Sequence, residues 1–182
     1  CPMPAQLDPT ERRIVGVLIE KALATPEYYP LTLNSLRTGC NQKNNRSPET
    51  NYEEFELQGA LRALQDKKWV VVSDAGGRAV KYRHLADVRL GLDSKELAVL
   101  AELLLRGSQQ PGELRTRVNR MRPVETPEAL QEILDRMAKK EPPLVERLAR
   151  VKGERYDRYG QTLALDRVTD DFWRGVLAGK VW

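Results

Sequence analysis

A stretch rich in cationic and amide side chains, residues 34–48, is the part of the sequence best suited to hold an anion. Three basic residues and five amides fall in these fifteen positions, with no acid before Glu49. Such donors commonly contact the phosphate and sugar oxygens of nucleic acids. The residues predicted to make these contacts are Asn34, Arg37, Lys43, Asn45 and Arg46. A long solvated polar loop is the alternative interpretation.

A second candidate surface is the polar side of a helix predicted over residues 52–68. Its apolar positions recur at helical spacing: Leu57, Ala60, Leu61 and Leu64. The opposite face carries Glu54, Gln58, Arg62 and Gln65. Because glutamine can hydrogen-bond to adenine and arginine can bind guanine with two bonds, Gln58, Arg62 and Gln65 are predicted nucleic-acid contacts. The alternative is a solvated polar face, favoured by three acids in the first turn that would repel phosphate.

A basic hairpin is predicted directly after this helix. Residues 69–72 and 80–84 have the composition of two strands, and residues 75–78 have that of a turn. The hairpin and the two lysines before it carry five basic residues and one acid. Arg78 and Lys81 are therefore predicted to contact phosphates.

The elements that would position these surfaces occur twice in the chain. Residues 7–11 and 92–96 each have an Asp followed three residues later by a Glu, ahead of an apolar pattern at helical spacing. This is the pattern of a capping box at a helix N-terminus. The offset between the copies is 85 residues here, 78 at the second helix and 73 at the third. The second copy is therefore predicted to have shorter loops.

Each copy has three predicted helices followed by a β-hairpin, which is the order of a winged helix-turn-helix. The first copy has helices at 8–23, from about 32, and at 52–68. The second has helices at 94–106, 111–121 and 127–140, with strands at 144–148 and 155–159. We predict an α+β fold, mainly α with small β-hairpins. Two tandem winged helix-turn-helix modules, residues 1–88 and 89–165, precede an amphipathic C-terminal helix, residues 166–182.

The two modules are predicted to have different partners. The third helix of the second module has an acidic outer face, formed by Glu128, Glu132 and Asp135, which suits a polyanion poorly. Double-stranded DNA is therefore assigned to the first module. The second module is assigned to a homodimer or a protein partner. The C-terminal helix is predicted to pack onto the second module, and its use as a contact for another subunit is the alternative.

Composition argues against several classes of function. The 182 residues are 41% hydrophobic and 31% charged, with a net charge of +4, which predicts folded domains rather than disorder. Cys1, Cys40 and His84 are too few for a Cys/His metal centre or for a nucleophile with a histidine base. No apolar run approaches the ~20 residues of a membrane span, and no signal segment is recognised. We expect a soluble cytoplasmic protein that is not an enzyme and binds no metal, cofactor or membrane.

Several blocks of the sequence resemble the YceH-like proteins of bacteria. They lie at residues 8–11, 18–21, 25–34, 40–46, 76–82, 103–107 and 111–115. The resemblance covers roughly residues 7–160 and implies a tandem winged-helix protein. The family has no established catalytic or binding residues to carry over, but its blocks draw attention to the polar segment 40–46.

The order of elements and the cationic surface together favour a DNA-binding protein, such as a transcriptional regulator. It would act through the third helix and the hairpin of the first module. The alternative is an interaction or assembly adaptor without direct DNA contact, because winged-helix modules also serve as protein-binding scaffolds. Acidic residues on both third helices favour this alternative.

Overall fold

The computed structural model describes residues 6–73 and 79–164. The first module comprises α1 (Pro9–Ala24), a 3₁₀ turn (Pro26–Tyr28), β1 (Leu31–Thr32), α2 (Leu33–Asn41), α3 (Glu54–Asp66), β2 (Val70–Ser73) and β3 (Lys81–His84). The short helix α4 (Ala86–Leu90) leads to the second module, with α5 (Ser94–Arg106), α6 (Pro111–Val118), α7 (Pro127–Ala138), β4 (Val145–Leu148) and β5 (Arg158–Gln161). The α+β fold class is confirmed, and the element order is compatible with two winged-helix modules.

Both modules begin with the predicted capping box. The Asp8 carboxylate accepts from the Glu11 backbone N–H at 2.8 Å, and the Glu11 carboxylate accepts from the Asp8 N–H at 2.9 Å. Asp93 and Glu96 repeat the arrangement at 2.9 and 3.1 Å. These bonds satisfy N–H groups that a helix leaves free in its first turn. They fix the starts of α1 and α5 within one residue of the predicted positions.

Each module ends in an antiparallel hairpin that pairs with the segment before its second helix. β3 pairs with β2 on one side and with β1 on the other, where Leu31 lies opposite Tyr82. In the second module β4 pairs with β5, and Gln109 bridges to Tyr159. Gln109 follows Leu31 by 78 residues and Tyr159 follows Tyr82 by 77. The duplication therefore extends to the register of the sheets.

The two modules share one hydrophobic core. Helix α1 packs along α5, and nearly every residue of α5 is buried. Gly16 permits the close approach, since a Cβ at this position would lie 2.9 Å from Leu105 Cδ2. The Arg12 Nε also donates to the Leu104 carbonyl at 2.7 Å. These contacts hold the two modules against each other through their first helices.

Some predicted boundaries differ from the structure. Helix α3 begins at Glu54 rather than at residue 52, because the Glu56 carboxylate accepts from the backbone N–H of Glu53 at 3.0 Å and so caps the helix there. Strand β5 begins at Arg158, later than predicted, because Asp157 accepts from the backbone N–H of Arg150 within the turn. The turn at 74–78 and the helix predicted over 166–182 lie outside the described residues.

Three residues of the first module that could bear chemistry or stack on a ligand are packed inside the fold. Trp69 and Cys40 are fully buried, and His84 is 8% exposed. The His84 Nδ1 accepts from the backbone N–H of Ala86 at 3.1 Å, so this histidine caps the chain at α4. No helix in the described part of the chain is both long and apolar enough to cross a bilayer.

Candidate nucleic-acid interface

The outer face of α3 presents Gln58 and Arg62 to solvent, as predicted. Neither side chain forms a hydrogen bond or ion pair with another residue that the structure describes. They are four residues apart and therefore lie one above the other on the helix. Gln65, almost one turn further on, is half-buried. The face thus offers an amide and a guanidinium group whose donors are available to a groove.

Phe55 extends this face and is absent from the predicted site residues. Its side chain is 72% exposed. Positions 55, 58, 59 and 62 have the spacing of one helix stripe, and that spacing is the signal by which Phe55 could have been found. A Cβ on Gly59 would meet nothing within 4 Å, so the stripe is open between Phe55 and Arg62.

The hairpin that follows α3 carries cations of its own. Lys81 and Arg83 lie on the same face of β3, because side chains alternate along a strand. Arg83 is exposed and Lys81 is half-buried. Lys68, at the junction of α3 and β2, is exposed and has a φ of 67°. Within 6–73 and 79–164, none of these three side chains forms a hydrogen bond or ion pair. The predicted contact Arg78 lies outside the described residues.

Arg46 is buried, which corrects its assignment to this surface. Its side chain is 0% exposed. The guanidinium donates to both carboxylate oxygens of Glu20, at 2.6 and 3.0 Å, and its Nε donates to the Gly39 carbonyl at 3.0 Å. Because these donors are engaged inside the fold, Arg46 cannot reach a phosphate.

Arg37 and Asn45 are also held by internal contacts. The Arg37 Nε donates to the Tyr52 carbonyl at 3.0 Å, and Asn45 Oδ1 accepts from Arg106 at 2.6 Å. These bonds order part of the segment between α2 and α3, so Arg37 and Asn45 are partly engaged within the fold. Asn34 and Lys43 are exposed, as predicted.

A buried ion network connects the two modules behind this segment. Arg120 donates to Glu20 at 2.6 Å and to Glu102 at 2.8 Å, and Arg106 lies 3.1 Å from Glu102. Both glutamates are almost completely buried. Burial alone would raise the pKa of Glu20, but the Arg46 hydrogen bonds and the charges of Arg46 and Arg120 bring that pKa below its usual value. Glu20 therefore acts as a charged anchor for Arg46 of the first module and Arg120 of the second, and Glu102 accepts from the same Arg120.

The basic run in the second module is used internally as well. Arg115 donates to the carbonyls of Val124 and Glu125, both at 3.1 Å. Arg117 donates to Gln109 at 3.0 Å, and Arg122 donates to the carbonyl of Leu23 at 3.0 Å. These arginines fix loops and the module contact. In the first module Lys67 is also engaged, with Glu11 at 2.7 Å, whereas Arg62, Lys68, Lys81 and Arg83 make no such contact with the described residues.

A family model described as "Protein of unknown function, DUF480" matches residues 7–154, which include α1 to β4. The chain belongs to the DUF480 family. The predicted membership of a family without an assigned activity is thereby confirmed. The matched range of this DUF480 protein contains the α3 face, its hairpin and the whole ion network.

Relatives of this DUF480 protein are called UPF0502 proteins. The relative from Geotalea daltonii is 50% identical over 89% of this chain and 74% of its own length. Those from Geobacter metallireducens and Shewanella pealeana are 48% and 46% identical, and the matches cover 89% and 86% of this chain and 74% of each relative. These names state no ligand or activity.

Proposed function

We propose that this protein binds double-stranded DNA through α3 and the β2–β3 hairpin of its first module. The observation that carries the proposal is a group of cations on this module that have no hydrogen-bond or ion-pair partner among the described residues. They are Lys43, Arg62, Lys68, Lys81 and Arg83. Cationic side chains that are not engaged within the fold are available to neutralise phosphate.

The position of each side chain determines the DNA contact assigned to it. Gln58 and Arg62 on α3 would approach base edges, as the third helix does in helix-turn-helix proteins. Phe55 on the same stripe would give apolar contact to a thymine methyl group. Lys81 and Arg83 on the hairpin would contact phosphates, which positions the protein without reading sequence. A protein that reads bases in this way would serve as a transcriptional regulator.

The charge of the second module supports the assignment of DNA to the first module alone. Glu128, Glu132 and Asp135 are exposed on α7, and Asp135 takes the position that Arg62 has on α3. Carboxylates on that face would repel a duplex. The α7 face is therefore assigned no DNA contact.

A second candidate function is an interaction or assembly adaptor. It is favoured by the exposed Phe55 and by Glu53, Glu54 and Glu56, which put negative charge at the first turn of α3. Carboxylates there stabilise the helix through its dipole. A basic, partly apolar protein surface would fit this end of α3 better than a phosphate chain would.

Fluorescence anisotropy with random and genomic duplexes distinguishes the two functions. Phosphate contact predicts binding whose log affinity falls with log salt by ~0.9 per neutralised phosphate between about 50 and about 200 mM salt. Absence of binding at the lowest salt concentration would contradict the DNA proposal and favour the adaptor function.

Two substitutions test the assigned roles. Arg62→Ala should reduce the preference among sequences, whereas Arg78→Ala should weaken all duplexes alike. Lys95→Ala, an exposed position on the second module, is the matched control and should leave binding unchanged. Equal, sequence-independent losses from the first two variants would show that Arg62 does not read bases.

A further inference from the structure

A cleft of about 260 Å³ lies between α7 and the β4–β5 hairpin of the second module. Three arginines line it: Arg147, Arg150 and Arg155. Asp157 is the one carboxylate among the described lining residues. The size is at the lower limit of small-molecule pockets, which suits the head group of a ligand rather than a whole drug-sized molecule.

Asp157 does not neutralise the cleft. It accepts from Arg147 Nε at 3.0 Å and from the backbone N–H of Arg150 at 3.2 Å, and Arg150 Nε lies 3.5 Å away. One carboxylate thus faces three guanidinium groups, which leaves two positive charges in excess. The Nη groups of Arg147 and the whole Arg155 guanidinium form no hydrogen bond with the described residues. These donors are available to an anion.

The turn of the hairpin is held in place before any ligand arrives. Glu154 accepts from Arg158 at 2.7 Å and from Gln110 at 3.0 Å, and Gln110 in turn accepts from the backbone N–H of Tyr156 at 3.2 Å. The Arg158 hydrogen bond lowers the pKa of Glu154 to about 2, so the carboxylate is ionised throughout the ordinary pH range. Because the turn is already ordered, a ligand would lose less free energy in organising the arginines.

An exposed aromatic ring lies at the same cleft. Tyr156 is 56% exposed, and the Arg155 guanidinium lies 5.5 Å from its ring centroid. Tyr159, at the floor, is 9% exposed and accepts from Gln131 at 3.1 Å. Guanidinium groups bind phosphate with paired hydrogen bonds, and an exposed ring offers a stacking face for a planar group.

We propose that this cleft binds a small phosphate monoester that carries a planar aromatic group, of which a nucleoside monophosphate is the simplest example. The phosphate lies among the three arginines, and the planar group stacks on Tyr156. A long polyanion is disfavoured because the adjoining face of α7 is acidic at Glu128, Glu132 and Asp135. The site lies on the second module and is distinct from the α3 surface.

Isothermal titration of the full chain with adenosine monophosphate, inorganic phosphate and adenosine tests the proposal. Adenosine monophosphate should bind most tightly, inorganic phosphate more weakly and adenosine not at all. Equal affinity for adenosine monophosphate and inorganic phosphate would contradict the proposal that a planar group stacks on Tyr156. Absence of binding by both phosphates, or binding of adenosine alone, would overturn the site.

Variants localise the binding. Arg155→Gln should lower the affinity for adenosine monophosphate at least about tenfold, because a charge-assisted hydrogen bond is lost. Arg155→Lys should restore only part of that affinity. Tyr156→Leu should lower the affinity for adenosine monophosphate and leave the affinity for inorganic phosphate unchanged. Lys152→Gln, in the same turn but outside the cleft, is the matched control. Unchanged affinity in Arg155→Gln, or loss of duplex binding in that variant, would contradict the proposal. Arg62→Ala should not alter this titration, so the two proposals can fail separately.

Discussion

Replacing Glu20 by glutamine should destabilise the whole molecule through the ion network between the modules. The Glu20 carboxylate accepts three short bonds: two from Arg46, at 2.6 and 3.0 Å, and one from Arg120, at 2.6 Å. A glutamine keeps the shape but removes the charge, and its amide N–H₂ would face a guanidinium. The change therefore tests the ionic contacts with little change in packing volume.

The magnitude follows from the burial of the partners. Arg46 is 0% exposed and would keep the backbone carbonyls of Gly39 and Asn45 and one neutral acceptor, the glutamine carbonyl oxygen. Arg120 is 25% exposed and would keep Glu102. Leaving a buried charge without its partner costs ~3–5 kcal/mol, a large part of the ~5–15 kcal/mol that stabilises a typical domain. For a chain of this length the loss corresponds to a fall in Tm of roughly 6–20 °C.

Urea and thermal unfolding followed by circular dichroism would measure the effect. Because both modules share one core, we expect a single transition in the unmodified protein and in Glu20→Gln. Glu132→Gln, an exposed position, is the matched control and should change the free energy of unfolding by less than ~0.5 kcal/mol. If Glu20→Gln lowers the free energy of unfolding by less than ~1 kcal/mol, the claim that these buried charges stabilise the fold by pairing with one another is refuted.

Two further perturbations test the packing and the pH response. Gly16→Leu should lower the free energy of unfolding by ~1–3 kcal/mol, because the leucine side chain would enter the contact between α1 and α5. Gly59→Ala, whose added methyl group meets open space, should raise the free energy of unfolding by up to ~1 kcal/mol. Calorimetry would measure both changes. Burial lowers the pKa of His84 from 6.5, so the unfolded chain binds a proton at a higher pH than the native protein does. The free energy of unfolding should therefore fall as the pH drops from about 7.5 to about 5.5, and His84→Asn should show a smaller fall in urea titrations; an identical fall would exclude His84 as the cause.

Local patterns in the sequence predicted much of the fold. The Asp–Glu spacing at residues 8–11 and 93–96 located two helix starts, since a capping box depends on residues only three apart. The outward placement of Gln58 and Arg62 followed from the helical period. These features depend on neighbours along the chain, which a single sequence displays directly.

The role of Arg46 could not be read in this way. Its partner Glu20 lies 26 residues earlier, and the Arg120 that completes the network is 100 residues from Glu20. Nothing in the composition of residues 34–48 distinguishes an arginine that folds inward from one that meets solvent. The contact of α1 with α5, which buries these charges, arises only when the two copies pack together.

The most direct test of DNA binding by the first module is the salt dependence of a hairpin variant. Lys81 and Arg83 have no hydrogen-bond or ion-pair partner in the part of the chain that the structure describes, so replacing both by glutamine should reduce the slope of log affinity against log salt by about 1.8. The same double replacement at Lys95 and Lys139 of the second module should leave the slope unchanged. Equal slopes for the hairpin variant and the unmodified protein would contradict the assignment of DNA to this surface.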